Sequence, residues 1–170
     1  MSVTLTPQVL GVRETLAALK DLEPELRRET VRDIRSAAEP MRLAAQQLVP
    51  VEAPLSGMAR GRLAWGPGAR RKIRTTVGGR ARRERDVWPL VNLIQGDAAG
   101  ALFDIAGRGS AGSTPQGQAL IRGLTQRHGA ASRSMWRAAE GNIEPVQREV
   151  IAAIDRAAAK VNRKLEQRGG

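Results

Sequence analysis

The feature that most constrains this chain is an apolar series near its C-terminus. Val146, Val150, Ile154, Ala157, Val161 and Leu165 follow one another at intervals of three or four residues. On a helix of 3.6 residues per turn these positions share one face, which needs a core to cover it. The spacing predicts a helix over Glu144–Leu165, with Asn142 as N-cap, Pro145 in the first turn and Gly169-Gly170 as the stop.

A second helical pattern precedes it. Leu26, Val31, Ile34, Ala38, Met41, Ala45 and Leu48 line one face of a helix over Pro24–Leu48, with Arg27, Arg28, Arg32, Arg35 and Arg42 on the others. Pro40 should kink or split it, because proline lacks the amide proton and crowds the preceding turn. Residues 1–49 as a whole read as helical: Thr6-Pro7 begins a turn that Gly11 interrupts, and Leu16, Leu19 and Leu22 mark an apolar face.

Between these helical ends the pattern changes. Residues 50–86 read as a long loop punctuated by Gly and Pro, with a short strand where Ile73, Thr75 and Val77 alternate with Arg74 and Thr76. Residues 87–106 read as a β-hairpin: Val87-Trp88 and Leu90–Ile94 as one strand, with Pro89 placing it at an edge, GDAAG as the turn and Ala101–Ile105 as the second strand. Residues 107–170 begin with a Gly- and Ser-rich stretch to Gly117, followed by short helical pieces at Gln118–Arg127 and Ala131–Ala139 and then the C-terminal helix. The expected class is therefore α+β in a single domain of 170 residues: a small, mostly antiparallel sheet packed by long N- and C-terminal helices, with a long extended basic loop.

Composition narrows the function classes. With no cysteine, disulfides and thiolate metal sites are excluded. One histidine, His128, leaves little imidazole chemistry, and it reads as a loop residue before Gly129. No zinc-protease, P-loop, nucleophile-elbow or dinucleotide motif occurs. Asp97 reads as a turn residue and Asp104 as a strand residue in an ion pair. No catalysis, cofactor or metal is expected. No apolar run approaches the roughly 20 residues of a membrane helix, and MSVTLTPQVLGVRE has no signal-peptide pattern.

The net charge of +11 points to an anionic partner. Most of it lies between Met58 and Asp86, in Arg60, Arg62, Arg70, Arg71, Lys72, Arg74, Arg80, Arg82, Arg83 and Arg85, opposed by Glu84 and Asp86. Such a cluster can neutralise phosphates, with binding that weakens steeply as salt rises. It can equally solvate an exposed loop or pair with acids of a neighbouring subunit. No recognition-helix pattern accompanies it, so any nucleic-acid contact should be to the backbone and indifferent to sequence. Aromatic residues form only 2% of the chain, which disfavours a base-stacking surface.

Several segments, taken in order, resemble a known family. They are Leu48-Val49-Pro50, Pro54-Leu55-Ser56-Gly57 with Arg62-Leu63, Phe103-Asp104-Ile105-Ala106-Gly107-Arg108, and Ser132-Arg133-Ser134-Met135-Trp136-Arg137-Ala138-Ala139. Together they resemble the tail-completion or neck proteins of long-tailed phages, also described as head–tail connector or minor tail proteins. Val87-Trp88-Pro89-Leu90 and the FDIAGRG segment look like the versions in phages of actinobacteria. The resemblance spans nearly the whole chain. It departs from the wider family where Asp104 is followed by Ile105-Ala106-Gly107, since the family usually has Gly-Thr directly after the acid.

The resemblance implies a non-enzymatic virion protein, assembled in the host cytoplasm as a homo-oligomeric ring of six-fold symmetry. Its neighbours would be the head-closing (stopper) protein and the tail terminator or tail tube protein, with non-specific contact to DNA in the lumen and none to membrane. A tail terminator ring is the alternative within this class, and a sequence-independent nucleic-acid-binding protein the alternative outside it. The basic residues named above, with Trp65, Trp88, Asp104 and Arg108, are the expected interface or DNA-facing positions.

Overall fold

The computed structural model describes residues 2–5, 19, 24–78, 90–109 and 112–169. Its elements are β1 (Ser2–Leu5), α1 (Pro24–Ala37), α2 (Glu39–Leu48), a 3-10 turn (Ser56–Met58), α3 (Gly68–Arg71), β2 (Ile73–Val77), β3 (Val91–Gln95), α4 (Ala98–Ile105), α5 (Pro115–His128) and α6 (Met135–Gly169). The fold is α+β and rich in helix. The strands form one sheet in the order β1-β3-β2. Gly78 donates its amide to Leu90 O and Gly96 donates its amide to Lys72 O, so β2 and β3 run antiparallel.

Pro40 splits the first long helix as expected. Ala38 forms the turn between α1 and α2, its amide shared between Ile34 O and Arg35 O at 3.2 Å each. Pro40 then sits at the start of α2, where its missing amide proton costs least. The strand at Ile73–Val77 also forms as the alternation suggests.

Four expectations are corrected. Residues 2–5 are a strand rather than part of a helical zone; Ser-Val-Thr-Leu is a β-favouring run. Ala101–Ile105 is not the second strand of a hairpin but part of α4, and β3 pairs with the upstream β2 instead. A short apolar run does not itself distinguish strand from helix. Here Asp97 decides for helix, because its Oδ1 accepts from Gly100 N at 3.0 Å, which caps the first turn. The Gly- and Ser-rich stretch ends at Thr114 rather than Gly117: Thr114 Oγ1 accepts from Gly117 N, and Pro115 opens α5. Finally, α6 begins at Met135, so Asn142 and Pro145 lie inside it. Asn142 does not cap; its Nδ2 donates to Ala138 O one turn back.

The chain packs as two compact units. One comprises Met1–Val3, Pro40–Thr75 and Leu93–Asn142; the other comprises Thr4–Glu39, Thr76–Asn92 and Ile143–Gly170. In the first, Met58, Phe103, Ala106 and Leu124 form a buried cluster, with Leu55, Trp65, Leu102, Leu120 and Ile121 packed against it. In the second, α1 buries Leu26, Thr30 and Ile34, and α6 buries Val146, Val150, Ala153, Ile154 and Ala157. Two ion pairs, Glu29–Lys160 and Asp33–Arg156, link these helices and give them opposite directions.

The first unit contains a polar junction. Asp104 is fully buried near the end of α4. Its Oδ1 accepts from Ser134 N (2.6 Å), Ser134 Oγ (2.8 Å) and Met135 N (3.0 Å), so it caps the start of α6. Arg133, 2% exposed, runs the other way. Its Nη1 donates to Phe103 O (2.7 Å) and Ala106 O (3.0 Å), the free carbonyls at the end of α4. Its Nε donates to Gly129 O. A carboxylate at a helix start and a guanidinium at a helix end both complement the helix dipoles. Burial pulls the Arg133 guanidinium below its ordinary value while Asp104 opposes that shift; arginine stays charged regardless.

Candidate functional site

The basic segment is not one extended loop over 50–86. From residue 50 to 78 it carries turns, the 3-10 turn, α3 and β2. The reason is its apolar side chains: Leu55, Met58 and Trp65 pack onto the cluster around Phe103, which pulls the segment down. Trp65 N donates to Met58 O at 2.7 Å and closes a tight excursion that holds Arg60 and Arg62 exposed to solvent. Gly61 turns the chain there at φ +94°, a conformation that suits glycine.

A cleft of about 730 Å³ opens beside this excursion, lined in part by Gln46, Val51, Glu52, Trp65, Arg70 and Arg71. Three of these side chains are fixed by backbone. Trp65 Nε1 donates to both Pro50 O and Val51 O at 3.3 Å, and its ring meets Phe103 edge-on at 5.6 Å. Arg70 Nε donates to Gln46 O at 3.0 Å, and Gln46 Nε2 returns a bond to Arg70 O at 3.1 Å. This reciprocal pair ties α3 to α2. Arg71 is exposed.

The remaining expected positions separate. Lys72, exposed, lies 3.7 Å from the partly buried Asp97, a long pair that contributes little. Arg74 is exposed on β2 and Arg108 beyond α4. Arg80, Arg82, Arg83, Arg85 and Trp88 lie outside the described residues, as do Val87 and Pro89. Asp104 is not available as an interface residue or a strand ion pair; it is the buried cap described above. His128 is the last residue of α5 rather than a loop residue, and its ring sits edge-on to Phe103 at 5.3 Å.

No family model, curated protein or solved structure matches the chain. The site's chemistry therefore rests on its own residues. Among the described residues no three His, Cys, Asp or Glu side chains group as metal ligands, and no helix is long and apolar enough to cross a membrane. The arrangement can present guanidinium groups and an indole face to an anionic partner. Sequence reasoning singled out Trp65, Arg70 and Arg71 but missed Gln46 and Glu52. Nothing local marks them: Gln46 meets Arg70 twenty-four positions along the chain, and Glu52 joins the lining only once the chain folds.

Proposed function

We propose that the protein is a structural subunit of the phage neck, a ring that joins the head-closing connector to the tail tube and lets DNA pass. The observation that carries this reading is the ordered set of tail-completion-like segments along nearly the whole chain, from Leu48-Val49-Pro50 to the Ser132–Ala139 stretch. A helix-rich α+β body and exposed basic side chains at Arg60, Arg62, Arg71, Arg74 and Arg108 are compatible with it. Ring contacts are heterologous, one surface meeting a different surface of the next copy. The protein would reside in the virion and act by geometry, without catalysis. A tail terminator ring is the same proposal one step along the tail.

The test is native mass measurement of the purified protein mixed with head-closing and tail tube proteins of the same phage. A ring, or a complex with either partner, is the expected result. A protein that stays monomeric and binds neither overturns the proposal.

A second reading, sequence-independent DNA binding as the main task, is favoured by Arg60, Arg62, Arg71 and Arg74, which have no acidic partner recorded among the described residues. Duplex binding by the free protein should then fall log-linearly with salt, with a slope of about 0.9 per phosphate neutralised. Binding that ignores salt removes this reading.

A further inference from the structure

We propose that the Trp65 cleft binds a segment of a partner protein that carries a carboxylate next to an apolar side chain. The inference stands on the cleft itself and not on the ring.

The cleft is preorganised. The indole and the Arg70 guanidinium are both held by bonds to backbone carbonyls before any ligand arrives. Surface arginines usually lose side-chain freedom on binding; here that cost is already met for one of them. Fixing Arg70 through Nε leaves its two terminal nitrogens without a recorded partner among the described residues. A planar pair of N–H donors matches a carboxylate. Arg71, exposed beside it, supplies a second cation on the same wall.

Part of the lining is apolar. Val51 is 74% exposed, with nothing in the described chain covering it, and it adjoins the indole. A ligand that offered only charge would leave this surface wet. One with an aliphatic side chain next to its carboxylate would cover it. The cleft, about 730 Å³, is an open groove with room for a few peptide residues.

The charge pattern favours peptide over nucleic acid. Glu52 lines the same cleft. Its carboxylate repels a chain of phosphates, which carries a negative charge at every residue. A peptide can place its acid at the arginines and a backbone amide or an apolar side chain near Glu52. The cations and the acid thus fix a polarity for the ligand, as complementary charges do at interfaces.

The experiment follows amide, indole and arginine Nε resonances of the full chain during titration with acetyl-Leu-Glu-Leu-Glu-Leu-Glu-amide. Acetyl-Leu-Gln-Leu-Gln-Leu-Gln-amide and an oligothymidylate serve as comparison probes. Saturable shifts at the Trp65 indole and Arg70 Nε are expected with the acidic peptide. Arg71→Ala, whose side chain has no bond among the described residues, should weaken that binding about tenfold, the usual consequence of losing a charge-assisted hydrogen bond. Val51→Asp should weaken it further, and Arg148→Ala, on the exposed side of α6, should leave it unchanged. Equal binding of the glutamine peptide overturns the proposal. So does tighter binding of the oligothymidylate at the same resonances, or the absence of any shift with millimolar peptide.

Discussion

Replacing Asp104 with alanine should be among the most damaging single changes in the first unit. The side chain is fully buried, and its Oδ1 receives three donors from Ser134 and Met135. Alanine leaves those donors without an acceptor, and loss of a helix cap alone costs about 1–2 kcal/mol. It also removes the carboxylate charge that favours the buried Arg133 guanidinium. A buried donor left unsatisfied costs about 1–3 kcal/mol, and these losses overlap with that of the cap rather than add. We expect a loss of about 3–5 kcal/mol. At 2–4 °C per kcal/mol for a chain of this size, the melting temperature should fall by roughly 6–20 °C.

Urea titration followed by circular dichroism measures the loss, and amide exchange at Ser134 and Met135 locates it. Asp104→Asn keeps one acceptor but places an amide group where Oδ2 has no partner, so it should cost less, about 1–3 kcal/mol. Ser134→Ala removes only the hydroxyl bond and should cost about 0.5–1.5 kcal/mol. Arg133→Met combined with Asp104→Ala should cost less than the two changes summed, because no uncompensated charge remains. Stability of Asp104→Ala within about 1 kcal/mol of the parent, with unchanged exchange at the start of α6, would refute this role for Asp104.

Gly100→Ala should destabilise although it replaces glycine inside a helix. A Cβ there would stand 2.5 Å from Gln95 Nε2 and 3.1 Å from Ala69 O, and that Nε2 is buried and bonded to Ala69 O. Overpacking costs about 1–3 kcal/mol, more than the roughly 1 kcal/mol gained in helix propensity; a higher urea midpoint for the variant would contradict this. The Glu29 carboxyl is held below its ordinary value, first by the hydrogen bond from Lys160 and then by that charge. The folded chain therefore binds fewer protons there than the unfolded one. The pair's stabilisation is complete above the ordinary value of 4.5 and is lost as pH falls through the folded value. Glu29→Gln should show a flatter acid limb in urea midpoints measured against pH, and parallel limbs would refute the assignment. Thr114→Ala removes the bond to Gly117 N and should cost about 0.5–1 kcal/mol, read as fraying of the first turn of α5 in amide exchange.

The parts of the fold legible in the sequence were those set by local pattern. The apolar series on α1, α2 and α6 and the split at Pro40 follow from helix spacing and from the geometry of proline. The strand at Ile73–Val77 follows from alternation, and the buried residues of β3 (Val91, Leu93, Gln95) keep the same period. What was illegible depended on partners far along the chain. The start of α6 is set by Asp104, thirty residues upstream, whereas Asn142 and Pro145 offered a nearer and misleading start signal. Ala101–Ile105 was ambiguous in isolation, and the cap at Asp97 is what makes it helical. At the candidate site, Trp65, Arg70 and Arg71 stood out by residue type. Gln46 and Glu52 did not, because their part in the lining arises only when α2 and α3 meet.

The junction of Asp104 with Ser134 and Met135 closes a loop of thirty residues that contains α5. In a secreted domain a disulfide often fastens such a loop, and this chain has no cysteine. The two fastenings differ in which state they act on. A disulfide restricts the unfolded chain; a clasp of hydrogen bonds exists only in the folded one. The Asp104 clasp is therefore indifferent to reducing agents, forms anew each time the chain folds, and leaves the unfolded ensemble as free as if it were absent. Its loss should appear as faster opening of the folded state wherever the clasp closes after the folding barrier is crossed. A covalent link placed across the same loop would act on the unfolded side of that balance.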